Sequence, residues 1–231
     1  MSFLGDSIEM PSVFFETDGD NRLPDDEGLP EYILPEEDEG ENSPDDDRRM
    51  GPWSLLFKIM ISPVEGWKSL RRSKISADSV GFGLFLPISV VAGLSDFLGL
   101  IYDPHIATLN VVIRSVLTFM SYFIGYFIAG FASRILLPRG MKDFLYTGFG
   151  KAFAMISIST LALFHIILEC LPIFEPIFYF LPLWTIYIII KGMKFVKIRE
   201  DRSSYTLGVV CVTLVGAPIF VDWVFSLFSF Q

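Results

Sequence analysis

Long apolar runs alternate with short polar segments along most of the chain. Each run is about 15 to 30 residues long, and at about 1.5 Å per helical residue most runs cover a hydrocarbon core about 30 Å thick. None shows the polar face expected of a helix in a soluble domain. The pattern therefore predicts an all-α fold in which residues 77–231 form a bundle of five transmembrane helices. The predicted spans are residues 79–101, 106–137, 152–171, 176–191 and 207–228.

The residues before the first run form two segments. Residues 1–50 are rich in Asp, Glu, Pro and Gly, and such a composition cannot bury enough apolar surface to offset the entropy lost on folding. They are predicted to be a disordered, acidic cytoplasmic tail. Residues 51–76 are predicted to be an amphipathic interfacial segment, whose helix starts at Pro63 with Ser62 as its cap. An ordinary cytosolic helix is the alternative interpretation. The side chains predicted to contact lipid at the membrane surface are Trp67, Lys68, Arg71 and Arg72.

Lysine and arginine residues fall in alternate connecting segments. They precede the first span, separate the second span from the third, and separate the fourth from the fifth, at residues 68–74, 134–151 and 191–202. No Lys or Arg occurs in the other segments, residues 102–105, 172–176 and 229–231. Because short cytoplasmic loops carry the excess of Lys and Arg, the pattern predicts a cytoplasmic N-terminus and a C-terminus outside.

Composition and charge add a division within the chain. Hydrophobic residues make up 52% of the 231 residues, which together with the missing polar faces indicates an integral membrane protein. Residues 1–47 hold 17 acidic residues and one basic residue, a net charge of −16, and the other 10 acidic and 17 basic residues give +7, which returns the total of −9. An acidic tail is therefore attached to a basic membrane body.

Several polar residues lie inside the predicted spans, where ionisable groups are costly and usually mark a pathway, a pair or a network. Asp96, Arg114, His165 and Asp222 each fall about 8 to 12 Å from the predicted outer end of a span, and Glu169 is one turn from His165 on the same face. One interpretation is a structural network in which Asp96 or Asp222 neutralises Arg114. The other is an ion or proton path, or a binding pocket open to the outside.

A stripe of small residues recurs every fourth position in the second span. Such a stripe lets two membrane helices approach closely, so these residues are predicted to pack against another helix. The stripe consists of Ser121, Gly125, Ala129 and Ser133.

Motifs for catalysis are absent from the sequence. There is no Gly-rich phosphate loop, HExxH or GxSxG pattern, and two Cys and two His do not form a Cys/His metal cluster. Ser157 lies about two turns from His165, too far for a nucleophile–base contact within one helix. We therefore expect no catalytic residue, no cofactor, no metal and no enzymatic activity. Because the basic residues lie at membrane edges rather than in an aromatic-interleaved patch, we expect no nucleic-acid partner.

Five local patterns within roughly residues 55–228 carry a resemblance to a known family. They are Ser62-Pro63-x-x-Gly66-Trp67, Pro87 early in the first span, Phe149-Gly150-Lys151-Ala152, the proline-interrupted turn at 172–176, and Leu183-Trp184-x-x-Tyr187 with Lys191-Gly192-Met193. In these patterns the chain resembles the Yip domain family, multi-pass membrane proteins named for interaction with Ypt/Rab GTPases. The resemblance implies five membrane helices, a cytosolic N-terminal tail and no enzymatic activity. The Asp-Leu-Tyr-Gly-Pro motif that eukaryotic members carry before the first span is absent, so the chain looks more like bacterial members.

Two functions fit these observations. The first is a non-enzymatic scaffold or organiser of the Yip class in a bacterial plasma or inner membrane, which contacts lipid through its body and recruits unidentified protein partners through residues 1–47. The second is a small transporter or channel subunit that uses the polar layer of Asp96, Arg114, His165 and Asp222. A homo-oligomer is compatible with either function, because five helices enclose a cavity more readily when copies associate.

Overall fold

All regular elements that the structure describes are helices, which confirms the prediction of an all-helical fold. The computed structural model describes residues 50–73, 75–102, 105, 107–138, 141–171, 180–196 and 203–229. Apart from Met50, the predicted acidic tail lies outside the described residues.

Two short helices precede the first long one, α1 (Pro52–Ile61) and α2 (Pro63–Arg72). Both begin with proline, whose fixed φ suits the first helical position. Ser62 stands at the N-cap position of α2, but its side chain makes no cap hydrogen bond. The predicted side-chain cap is therefore wrong, and sequence reasoning did not predict α1.

Among the described residues, five longer helices follow in the order α3 (Ala77–Tyr102), α4 (Thr108–Leu136), α5 (Gly148–Cys170), α6 (Leu181–Met193) and α7 (Ser203–Ser229), with a 3-10 turn at Phe144–Tyr146 before α5. Within α3, a π-helical stretch at Gly81–Phe85 and a 3-10 turn at Asp96–Leu98 interrupt the α-helical pattern. Within the part of the chain that the structure describes, four helices are long and apolar enough to cross a membrane by length and composition: α3, α4, α5 and α7. This fits a multi-pass integral membrane protein.

The fourth predicted span, residues 176–191, corresponds to a shorter helix. α6 has 13 residues and is about 20 Å long, less than the hydrocarbon thickness of about 30 Å. Residues 172–179 lie outside the described ranges. Among the helices described, four rather than the predicted five therefore meet the length needed to cross a membrane.

Helix α5 is central to the packing. It contacts α3, α6 and α7, and Phe153, Ile156 and Ile158 on it are fully buried. α4 packs against α3 and, more extensively, against α7. α5 therefore forms the centre against which the other helices are arranged.

Trp67 lies in the protein interior, although the sequence predicted lipid contact for it. Its side chain is fully buried, its ring centroid is 4.6 Å from that of Phe153, and its Nε1–H donates to the Ile188 carbonyl at 2.9 Å. A Cβ added to Gly192 would meet Phe153 and would lie 2.7 Å from Cε2 of Trp67, so only glycine leaves room for the indole. The prediction of lipid contact is wrong for Trp67, because the apolar face of α2 packs on protein.

Candidate functional site: a polar cluster at one end of the bundle

Three helices bring four ionisable side chains together, and we call this group the polar cluster: Asp96, Arg114, His165 and Glu169. Asp96 lies in the 3-10 turn near the end of α3, and Arg114 lies about 9 Å from the start of α4. His165 and Glu169 lie in the last two turns of α5. The polar cluster is therefore built at one end of the bundle from the end of α3, the start of α4 and the end of α5.

Arg114 joins the two carboxylates of the polar cluster. Its Nε is 3.2 Å from Oδ1 of Asp96, and its Nη2–H donates to Oε1 of Glu169 at 2.8 Å. The guanidinium therefore links all three helices, which fits the structural interpretation drawn from the sequence. Sequence reasoning placed Glu169 beside His165 but did not identify it as a partner of Arg114.

Asp96 is the most buried member of the polar cluster. Its side chain has no exposed surface, whereas that of Arg114 is 63% exposed. Among the described residues, neither Oδ1 nor Oδ2 of Asp96 accepts a hydrogen bond, and Nε2 of His165 has no hydrogen-bond partner. The two groups face each other, with Nε2 3.6 Å from the same Oδ1 that is ion-paired with Arg114. Buried polar atoms without partners are unusual and mark a place where a ligand, an ion or a proton can bind.

Asp222 was predicted to share the layer with these residues, but it stands apart from the ion pairs. It is exposed on α7, and its Oδ1 accepts a hydrogen bond from Ser121 Oγ at 3.5 Å. It forms no ion pair with the residues that the structure describes. Asp222 and His165 line a common cavity of about 390 Å³, together with Ser121 and Tyr122. His165 therefore borders this cavity as well as facing Asp96.

The small-residue stripe of α4 lies against α7. Ser121, Gly125, Ala129 and Ser133 are all buried. A Cβ on Gly125 would lie 2.7 Å from Cα of Pro218, and the hydroxyls of Ser133 and Thr213 are 3.1 Å apart. The close approach predicted for this stripe occurs with α7 of the same chain.

The three basic residues predicted to contact lipid lie on α2. Lys68 is half-buried, and Arg71 and Arg72 are exposed. Arg71 donates to the Phe195 carbonyl at 3.4 Å and lines a cavity of about 620 Å³ together with Lys151. Their contact with lipid stays a prediction.

The polar cluster also contains a set of groups that could hold a metal ion. One ligand atom from each of Asp96, His165 and Glu169 lies within 4.8 Å of the other two. Sequence reasoning considered only Cys and His and expected no metal, and it missed this mixed set because Asp96 is far from the other two along the chain. The one usable signal was the i, i+4 spacing of His165 and Glu169, which puts both on one helix face.

Two hydroxyls on α5 are used in local hydrogen bonds, whereas that of Ser159 has no partner among the described residues. Ser157 donates to the Phe153 carbonyl at 2.8 Å, and Thr160 donates to the Ile156 carbonyl at 3.0 Å. This is the back-bonding that membrane helices commonly show.

No family model, curated protein or solved structure matches the chain.

Proposed function

We propose that this chain is a non-enzymatic membrane organiser of the Yip class, in which the helical body anchors an acidic tail that recruits partners. The observation that carries the proposal is the division of charge, −16 in residues 1–47 against +7 in the rest of the chain. A tail with this charge attracts basic protein surfaces and speeds their association. The body, at the same time, concentrates its basic residues where anionic lipid headgroups lie.

The contacts of the body support an anchoring role. Arg114 binds Asp96 and Glu169, Ser133 pairs with Thr213, and Trp67 joins α2 to α6. These polar groups are used to hold helices together. The described hydroxyls of Ser157 and Thr160 are likewise used in backbone hydrogen bonds.

The proposed topology has five crossings. In it, the span predicted from the sequence at residues 176–191 is the fourth crossing, and the tail shares the cytoplasmic side with the basic segments. The membrane is a bacterial plasma or inner membrane, as the family resemblance implies. Lys191 at the end of α6 and Lys151 near the start of α5 fit this orientation, because both would then lie on the cytoplasmic side.

Chemical crosslinking in intact membranes tests the recruiting role. Three chains would be compared: the full chain, a chain that starts at residue 48, and a full chain whose first 47 residues are scrambled. The proposal expects the partner set to disappear without the tail. If the charge of the tail alone recruits the partners, the chain with the scrambled tail still crosslinks to them. If short apolar patches such as Val13-Phe14-Phe15 bind the partners, the chain with the scrambled tail no longer crosslinks to them. An unchanged partner set in the chain without residues 1–47 would overturn the proposal.

A transporter or channel subunit is the second candidate, because a cavity of about 390 Å³ lies between α4, α5, α6 and α7 with Asp222 and His165 in its lining. Purified protein in liposomes would be tested for flux of H⁺, Na⁺, K⁺ and Cl⁻. The second candidate expects flux that falls in Asp96→Asn and Asp222→Asn and is unchanged in Asp143→Asn, whose carboxylate is 76% exposed in the α4–α5 connection. If the wild-type protein carries no flux of any of the four ions, a transporter or channel function for these ions is excluded.

A further inference from the structure

We propose that Asp96, His165 and Glu169 form a binding site for a divalent transition-metal ion such as Zn²⁺ or Mn²⁺, and that Arg114 is a built-in competitor for this site. The proposal is independent of partner recruitment by the tail. It rests on the placement of three ligand atoms, on unsatisfied buried groups and on the position of Arg114.

The ligand atoms are close to metal-binding geometry. Metal–ligand bonds of about 2.0–2.2 Å place neighbouring ligand atoms about 3 to 3.6 Å apart. His165 Nε2 and Asp96 Oδ1 are 3.6 Å apart, and the three ligand atoms lie within 4.8 Å of one another. Moving the Glu169 carboxylate by about 1 Å closes the set, and water completes the coordination.

A second observation points to a ligand at this place. The Asp96 side chain is fully buried, and both of its carboxylate oxygens lack a hydrogen-bond donor among the described residues. His165 Nε2 lacks a partner as well and is directed at the same carboxylate. A cation bound between the two would satisfy both groups, because neutral imidazole and carboxylate are both electron-pair donors to metals.

Arg114 stands where a metal ion would interact with the carboxylates. Its guanidinium lies 3.2 Å from Asp96 and 2.8 Å from Glu169, so one positive charge already balances part of their negative charge. The side chain is 63% exposed and extends from the N-terminal part of α4, so it can turn toward the membrane surface. Metal binding and the Arg114 ion pairs therefore compete for the same oxygens.

The ligand chemistry selects the class of ion. An imidazole nitrogen with carboxylate oxygens favours Zn²⁺, Mn²⁺ and Fe²⁺, whereas Mg²⁺ and Ca²⁺ prefer an all-oxygen set. We therefore expect Zn²⁺ to bind more tightly than Mn²⁺, and Mn²⁺ more tightly than Mg²⁺, at the same site.

Isothermal titration of the full chain in nanodiscs, with Zn²⁺, Mn²⁺ and Mg²⁺ in turn, tests the site. Cys170 and Cys211 would be replaced by Ser and Ala so that thiols do not bind the metal. We expect one ion per chain, binding about tenfold or more weaker in Asp96→Asn and His165→Gln, and tighter binding in Arg114→Gln. The matched control is Asp143→Asn, a carboxylate variant outside the polar cluster, whose affinity should equal that of the parent.

A spectroscopic measurement on the parent chain tests the site even where a variant fails to fold. X-ray absorption of the Zn²⁺-loaded parent chain should show imidazole and oxygen ligands. The proposal is overturned if neither the parent nor Arg114→Gln binds any of the three ions up to about 1 mM, if Asp96→Asn and His165→Gln bind as tightly as the parent, or if the bound zinc shows no imidazole ligand.

Discussion

Trp67 connects three helices through one side chain. It belongs to α2, packs against Phe153 of α5 with ring centroids 4.6 Å apart, and donates a hydrogen bond to the Ile188 carbonyl of α6 at 2.9 Å. Gly192 of α6 provides the space for its ring. A fully buried indole with a satisfied N–H combines a large apolar surface with a specific contact, so Trp67 fixes α2 to the membrane body.

Replacing Trp67 by Phe should destabilise the protein in detergent. The change removes the indole hydrogen bond to the Ile188 carbonyl and replaces the buried indole by a smaller ring, a loss of about 1–3 kcal/mol in total. Thermal unfolding followed by circular dichroism measures the change. Trp184→Phe is the control, because Trp184 lies on α6 with 43% of its surface exposed and should alter stability little. Equal stabilities of the two variants would show that the indole contact contributes nothing.

The ion pairs of Arg114 give a second prediction at this scale. Arg114→Leu leaves the buried Asp96 without a cation and should destabilise the protein by about 1–3 kcal/mol, less than for a fully buried pair because Arg114 is largely exposed. The double variant Asp96→Asn with Arg114→Leu should lose less than the sum of the two single changes. A strictly additive result, measured by thermal unfolding in detergent, would contradict direct pairing.

The distance of each residue from the predicted outer end of its span was sufficient to place Asp96, Arg114 and His165 in one layer. Helices that cross a membrane side by side bring residues at equal depth close together. The same reasoning could not separate Asp222, since depth does not specify which way a helix face points. For Trp67 the apolar pattern of α2 was correct but its partner was not, because an apolar face fits lipid and protein equally well.

At the scale of helices, the contact between α4 and α7 depends on the small-residue stripe. Gly125 lets Pro218 of α7 come so close that a Cβ would lie 2.7 Å from its Cα. Ser133 and Thr213 form a hydroxyl pair further along. Backbone approach and interhelical hydrogen bonds are the main sources of association between membrane helices, since lipid is as apolar as their side chains.

Gly125→Ala should therefore weaken the α4–α7 contact. The clash is with backbone atoms of Pro218, which cannot rotate away, and overpacking of this kind costs about 1–3 kcal/mol. Gly216→Ala on α7 is the matched control, because its Cβ would have only Val212 at 3.9 Å and alanine favours helix by up to about 1 kcal/mol. Resistance to denaturation in SDS measures both. A Gly125→Ala protein as stable as the control would contradict close backbone packing.

Helix positions could be read from apolar runs, because the length of a membrane crossing is set by hydrocarbon thickness. The predicted spans 106–137 and 207–228 overlap α4 and α7 along most of their lengths. The run at 176–191 was harder to interpret, since its length falls between that of a span and that of a buried short helix. α1 was missed because, although most of its residues are apolar, it has only ten residues and no side-chain cap pattern at its start.

At the scale of the whole molecule, the body and the tail carry opposite charge, +7 and −16. Positive segments stay on the cytoplasmic side of a membrane, so the proposed organiser keeps its tail there and places the polar cluster near the other side. This arrangement depends on an odd number of crossings. Four crossings, by α3, α4, α5 and α7 alone, would put both ends of the chain on the same side.

The most direct test of this arrangement is the sidedness of the two ends. In a chain with Cys170 and Cys211 replaced, a single cysteine at Ser43 or at Gln231 would be labelled in intact cells with a membrane-impermeant maleimide. Five crossings predict that Gln231→Cys is labelled in intact cells and that Ser43→Cys is labelled only after permeabilisation. Labelling of both positions in intact cells, or of neither, would mean an even number of crossings and would contradict the account.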